Sequence, residues 1–273
     1  MSGEKPREIF LAACAEIAQG LVPLGFRYLR SKPRLVRQEG DLRFEILFGS
    51  HPRNWLVQPD QRDATAAAML EYGARHNLKF TEHHIQDLLQ GSVDLTLMVA
   101  VYSRRVKQWR ESQPTPLRLD DYVAGDEIGR LRTPPALATF NLAPKATRQQ
   151  CIVEAAVLCH EVALPFFDVF RRPDELMERL MDRDLPGFWE ATTFDYVLCF
   201  GGRELGLDLL RRRLDAEVGH RSRFHELLPR FRTKEWREME ARQRANGMQL
   251  GGHQEIAGRL ATIAAAYQLH LDE

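Results

Sequence analysis

The sequence has no excess of charge of either sign, because 38 Lys and Arg residues balance 38 Asp and Glu residues. A protein that binds nucleic acid or an anionic membrane through its overall field carries a clear positive excess. The balance excludes binding by bulk charge and leaves local charged patches open. Lysine is also scarce among the cations, which a GC-rich genome explains more simply than a need for bidentate arginine pairs.

Long hydrophobic runs are missing as well, and no apolar stretch approaches the roughly 18 residues of a membrane-spanning helix. Residues 1–7 are polar and lack the hydrophobic core of a secretory signal. The few cysteines form no CxxC pair and stand among apolar neighbours, at Cys14, Cys151, Cys159 and Cys199. Free buried thiols are typical of a reducing compartment. The sequence thus predicts a cytoplasmic protein with no membrane contact.

The 273 residues that are present, 44% hydrophobic and 28% charged, have the composition of an ordinary globular protein. Disorder, collagen and a disulfide scaffold are excluded. In the N-terminal part, periodicity predicts helices over 6–22 and 63–77, a short helix capped by Ser103, and strands over 26–30, 34–39, 42–48 and 93–101. The Gly40-Asp41 pair between the second and third strands is a hairpin signal.

Five prolines interrupt the middle of the chain, at Pro114, Pro116, Pro134, Pro135 and Pro144. A long irregular connection is unusual inside one compact domain, so we expect a boundary there. Beyond it, periodicity predicts helices over 147–163 (central, and ended by Pro165), 173–183, 190–214, 222–243 and 253–270. The sequence predicts an α+β protein with an antiparallel sheet and flanking helices over 1–112, a Pro-rich connection over 113–146, and a helical domain over 147–273.

The opening helix followed by Gly25-Phe26, the strand Phe44–Phe48 and the segment Leu164-Pro165-Phe166-Phe167 resemble the DUF4304 family of bacterial proteins of unknown function. The resemblance covers residues 6–180 and leaves 215–273 as an extension whose role is open. Members of such families often lie beside toxin genes. The resemblance therefore implies an immunity or accessory role, and it supplies no catalytic residues.

Three short motifs invite a chemical interpretation. Adjacent His83 and His84 could bind a metal, but they lack the HExxH spacing that puts two histidines on one helix face. Cys159 and His160 are adjacent on a helix and do not face each other, as a nucleophilic pair must. Gly201-Gly202 stands without a phosphate-binding motif and predicts a helix break. We therefore expect no catalytic residues, no cofactor and no metal site, with metal binding at His83 and His84 left open.

Two charged sets are candidates for binding. The acidic set consists of four residues in the Pro-rich connection and two at the start of the predicted helix 173–183: Asp120, Asp121, Asp126, Glu127, Asp174 and Glu175. Carboxylates on exposed loops steer basic partners. The basic set is interleaved with aromatics over 203–237, at Arg211, Arg212, Arg213, Arg230, Arg232 and Trp236. Such a set can bind nucleic acid by stacking and phosphate contact.

The leading functional hypothesis is a non-catalytic cytoplasmic binding protein, an immunity-type inhibitor that occludes a cognate bacterial toxin. Its partner is then a protein, and the acidic set is its binding surface. The alternative is a nucleic-acid-binding or enzymatic defence factor that uses the basic segment 203–237. Partner identity and oligomeric state do not follow from the sequence.

Overall fold

The computed structural model describes residues 4–57, 61–76, 78–79, 85, 89–182, 185–233, 235–236, 238 and 255–271. It has the predicted α+β architecture, with an antiparallel sheet early in the chain and a mostly helical C-terminal part. The strands are β1 Arg27–Leu29, β2 Arg34–Glu39, β3 Leu42–Gly49, β4 Asp94–Ser103, β5 Tyr122–Glu127 and β6 Thr139–Asn141. The helices are α1 Pro6–Gln19, α2 Arg62–Arg75, α3 Arg104–Ser112, α4 Lys145–Leu158, α5 Leu164–Val169, α6 Pro173–Asp182, α7 Glu190–Asp215, α8 His220–Phe231 and α9 Ile256–Ala266.

The sheet has the strand order β1-β2-β3-β4-β5, and β6 pairs with β4 outside this path. In the antiparallel β1–β2 pair, Tyr28 lies opposite Leu35. In the antiparallel β4–β6 pair, Leu95 lies opposite Phe140. Leu95 belongs to the alternating apolar series that predicts β4, and it is fully buried, as the alternation requires.

Contact density divides the chain into two units that interleave in sequence. The first unit comprises Met1–Arg37, Phe44–Val99 and Asp126–Phe166. The second comprises Gln38–Arg43, Ala100–Gly125 and Phe167–Glu273. The predicted domains 1–112 and 147–273 stay a prediction.

The first unit has α1 packed against α4, with the side chains of Phe10, Ala13 and Ile17 buried along α1. Apolar residues at this i, i+3/i+4 spacing form one face of a helix, which explains both the prediction and the packing. In the second unit, α7 packs against α3, α6, α8 and α9. The most apolar of these, α9, buries Leu260 and Ile263.

Three expectations about local structure are wrong. Residues 113–146 are not irregular throughout, because they contain β5 and β6. Pro165 does not end the helical stretch, since a π-helical turn over Cys159–Ala163 leads directly into α5. In this turn, Leu164 N–H donates to the Cys159 carbonyl, five residues earlier. The wider turn shifts the hydrogen-bond register just before Pro165, which has no N–H to donate. The third wrong expectation is that the apolar helix is central. This helix is α4, and the side chains of Val153 and Val157 on it are exposed.

Among the described residues, no helix has both the length and the apolar character that a membrane span needs.

Candidate protein-binding site

The second unit is held together by a buried ion pair between α3 and α7. The side chains of Arg110 and Asp195 are both fully buried. Arg110 Nε donates to Asp195 Oδ2 at 2.7 Å, and Arg110 Nη2 lies 2.6 Å from the same oxygen. Tyr267, which follows α9, donates its hydroxyl to the other oxygen of this carboxylate. The pair therefore joins three helical segments of one unit, and each buried charge has an opposite partner.

The same guanidinium also fixes a surface loop. Arg110 Nη1 donates to the carbonyl of Asp120 at 2.8 Å and to the carbonyl of Tyr122 at 2.7 Å. A guanidinium offers five N–H donors in a rigid plane, so one buried arginine can bind a carboxylate and two carbonyls at once. The loop before β5 is consequently held in one conformation from beneath.

The titration behaviour of the network follows from its burial. Burial raises the pKa of the Asp195 carboxyl, while the Arg110 guanidinium and the Tyr267 hydroxyl act against that rise. Burial, reinforced by the neighbouring Asp195 charge, raises the pKa of Tyr267 well above its ordinary value. The Tyr267 hydroxyl therefore stays protonated and serves as a donor.

Above this network lies an exposed aromatic ring. Trp189 immediately precedes α7, and its carbonyl accepts from Thr193 N–H at 2.9 Å. Its residue surface is 48% exposed, although its ring lies 5.7 Å from the ring of Tyr122. Arg118 stacks over both rings, at 5.0 Å from the centroid of Tyr122 and 5.5 Å from that of Trp189. Neighbouring Leu119 is 58% exposed.

The cluster continues along the same unit. The Tyr122 ring meets the Tyr102 ring edge to face at 5.9 Å. Arg43 stacks over Tyr102 at 4.2 Å, and its guanidinium lies 3.2 Å from the carboxylate of Asp121. We call this set the aromatic–arginine surface, and it consists of Arg43, Tyr102, Arg118, Leu119, Tyr122 and Trp189.

Such a composition suits recognition of a protein. Trp, Tyr and Arg are the residues that most often dominate the energy of protein interfaces. Arg118 is already ordered before any partner arrives, since its side chain is only 11% exposed and its Nη2 lies 2.6 Å from Asp120. Prior ordering reduces the entropy that binding must overcome. The surface can therefore present Trp189 as a preformed apolar anchor.

The structure distributes the predicted acidic set over several places. Asp120 and Asp121 lie at the aromatic–arginine surface, whereas Asp126 and Glu127 belong to the first unit and both lie near Arg130, at 3.6 and 3.8 Å. In the first turn of α6, Glu175 pairs with arginines of its own helical region, and Asp174 is exposed. Five of the six carboxylates thus have an arginine partner, which reduces the negative field available for steering.

The predicted basic set is also largely engaged within the fold. Arg212 pairs with Asp208 at 3.0 Å, Arg213 lies 3.5 Å from Glu190, and Arg232 donates to the Leu269 carbonyl at 3.1 Å. Three of its cations, Arg211, Arg212 and Arg230, are exposed.

The aromatic residues near this segment favour packing over stacking on bases. Phe224 and Phe231 are buried, and Trp236 lies 4.6 Å from the ring of Phe231. The two buried rings are not available to nucleobases, whereas Trp236 is half-buried. Lys234 and Arg237 lie outside the described residues.

The remaining motifs have mixed outcomes. His83 and His84 lie outside the described residues, so metal binding there stays open. Within the described part of the chain, no group of three or more His, Cys, Asp or Glu residues could hold a metal ion. Cys159 is buried beside an exposed His160, and burial raises the pKa of its thiol to about 12. Gly202 interrupts α7 with a φ of 79°, which confirms the predicted helix break.

Sequence reasoning did not find most of the aromatic–arginine surface. Arg43 and Tyr102 lie on strands, and Trp189 precedes a helix, so no spacing rule brings them together. The sequence does contain one signal for the network of Arg110, Asp195 and Tyr267, because the charged Asp195 interrupts the apolar run Phe194 to Leu198. A charge within a buried helix face requires a partner, although its identity is a matter of tertiary structure.

No protein-family model, curated protein or solved structure matches this chain.

Proposed function

We propose that this chain is a non-catalytic cytoplasmic binding protein, an immunity-type inhibitor that covers the functional surface of a cognate bacterial toxin. The observation that carries the proposal is the exposed Trp189 ring, which Tyr122 and Arg118 hold in place on the aromatic–arginine surface. The choice of a toxin as partner rests on the resemblance to the DUF4304 family.

The charges around this surface favour a protein over a nucleic acid. Asp120 and Asp121 carry negative charge at its edge, where they would repel phosphate groups. The same carboxylates alternate with the arginines that they pair with. A surface with charges of both signs suits a partner that also carries positive and negative groups around an apolar centre. Protein interfaces usually have such a polar rim around an apolar core.

The test is co-purification of the tagged full-length chain with the product of the neighbouring toxin-like gene, followed by titration of the two purified proteins. We expect a stable complex. Trp189→Ala should weaken it by at least about 30-fold, because an exposed, preordered Trp at the centre of an interface typically contributes 2 kcal/mol or more. Trp55→Ala is the matched control, since Trp55 is a half-exposed tryptophan of the first unit.

The proposal fails if no complex forms, or if Trp189→Ala and Trp55→Ala bind the partner equally well. A third result would favour the nucleic-acid-binding alternative. That result is tight binding of single-stranded RNA or DNA that falls steeply with salt and is lost in the Arg211→Ala, Arg230→Ala double variant.

A further inference from the structure

The first unit contains a surface groove between the edge strand β6 and helix α4. Its volume is about 540 Å³, and all of its lining residues lie within 132–161. Two exposed valines of α4, Val153 and Val157, stand in its wall one helical turn apart. Opposite them, Leu137 is 91% exposed just before β6. The residues of this apolar groove belong to the first unit, and those of the aromatic–arginine surface belong to the second.

The strand at the groove directs backbone groups into it. Leu142 N–H donates to the Val93 carbonyl at 2.9 Å, on the side of β6 that pairs with β4. Because backbone groups alternate in direction along an antiparallel strand, those of Thr139 and Asn141 face away from β4. In agreement, the Asn141 carbonyl accepts from Cys151 Sγ of α4 at 3.7 Å. Thr139 thus presents its N–H and C=O to the groove, where another strand can pair with them.

The charges of the groove indicate the chemistry of its occupant. Two carboxylates, Glu154 and Glu161, line it on the α4 side, whereas the cation among its lining residues is Arg132. Glu154 lies on α4 and Glu161 in the π-helical turn that follows it, and both line the groove together with the two valines. An occupant with lysine or arginine near these carboxylates and apolar side chains against the valines matches this wall.

We propose that the groove binds an extended segment of a partner protein that adds as a strand to the outer edge of β6. Because alternate residues of a strand point to opposite faces, only every second residue of the segment faces the valines and carboxylates, and this set includes both apolar and basic side chains. Main-chain hydrogen bonds to Thr139 supply part of the affinity, and the two valines with Glu154 and Glu161 select the sequence.

The experiment selects binders for the full-length chain from a displayed library of random linear peptides about nine residues long. We expect enriched peptides to carry both β-branched residues and Lys or Arg at every second position, on the face that meets the groove. Val157→Asp should reduce their affinity by at least about tenfold, since it places a charge on the apolar wall. Glu154→Lys with Glu161→Lys should do the same by reversing the sign of that wall.

Two controls keep the result specific. Leu70→Asp changes another exposed aliphatic residue of the first unit, 54% exposed against 42% for Val157, and should leave peptide affinity unchanged. Trp189→Ala should also leave it unchanged, so that failure here is distinguishable from failure of the proposed function. The inference is overturned if no peptide is enriched, if the enriched peptides are acidic, or if Val157→Asp binds them as the parent does. It is also overturned if the parent chain is a dimer that Val157→Asp makes monomeric, because the occupant is then a second copy.

Discussion

At the scale of single residues, the buried cation Arg110 connects several segments of the second unit. Arg110 is the largest fully buried side chain among the described residues, and its guanidinium binds the Asp195 carboxylate and two loop carbonyls. A buried ion pair is weak support for stability as a pair, yet the loss of one partner leaves an uncompensated charge in the interior. The two residues should therefore behave as a unit.

This coupling predicts the behaviour of variants. Asp195→Asn should lower the free energy of unfolding by about 3–5 kcal/mol, because it removes the buried counterion of Arg110 and leaves only the half-exposed Asp120 carboxylate, 3.4 Å from Nη1. The double variant Arg110→Met, Asp195→Asn should be more stable than the single variant Asp195→Asn, since the uncompensated charge is gone. Urea denaturation of the parent and the variants measures the difference. Strictly additive losses would contradict the coupling.

The thiols make a second prediction at this scale. Burial raises the pKa of Cys199 to about 11 and that of Cys159 to about 12, because the thiolate loses its hydration. At pH 8 only about one Cys199 thiol in a thousand is then ionised, against roughly a quarter of ordinary cysteines. Labelling by iodoacetamide at pH 8, followed by mass spectrometry, should be at least about a hundredfold slower at both residues in the folded chain than in urea. Similar rates in the two conditions would show that these thiols are accessible and reactive.

At the scale of secondary-structure elements, Ser103 separates β4 from α3. Its Oγ accepts from Val106 N–H at 3.2 Å as the N-cap of α3, which confirms the predicted cap. The same hydroxyl donates to Asp41 Oδ2 at 2.6 Å. One small polar side chain thus ends a strand, begins a helix and anchors the turn before β3.

Ser103→Ala removes both hydrogen bonds and leaves the Val106 N–H without its acceptor. We expect the free energy of unfolding to fall by about 1–2 kcal/mol, visible as a lower midpoint in thermal or urea denaturation. Ser112→Ala, at the exposed end of the same helix, is the matched control and should change stability by less than about 0.5 kcal/mol. Equal effects of the two substitutions would mean that the cap does not stabilise α3.

The elements also show how far the sequence alone leads. The bounds of β2 agree with the predicted 34–39, because Gly40 marks the turn that ends it. The π-helical turn before Pro165 was missed, since proline in a helical pattern usually signals an end and a change of hydrogen-bond register leaves no mark in the periodicity. The aromatic–arginine surface depends on pairs such as Arg43 and Asp121, which are far apart in sequence. Local patterns specify elements, whereas such pairs follow from the tertiary fold.

At the scale of the whole molecule, the two units share the chain in alternating segments. The second unit uses residues 100–125 together with residues 167–273, and specific bonds join these stretches. Thr115 donates its hydroxyl to the Ala266 carbonyl at 2.7 Å, and Gly125 N–H donates to the Gly187 carbonyl at the same distance. Arg110 supplies the counterion of Asp195 from the earlier stretch.

These bonds predict the fate of a fragment cut at the boundary that the prolines suggest. Residues 147–273 alone retain the buried Asp195 and Tyr267 but lack Arg110, so we expect the fragment to be unfolded, with no cooperative transition by circular dichroism and rapid proteolysis. Co-expression with residues 1–146 should restore a protease-resistant complex, because it returns Arg110 and Thr115. If 147–273 instead folds alone and unfolds cooperatively, the helical part is an independent domain and the Arg110 network is dispensable for its stability. Arg110→Met in the co-expressed 1–146 fragment tests the contribution of the ion pair by itself. We expect this variant to weaken the complex, although the apolar residues that the fragment supplies are unchanged.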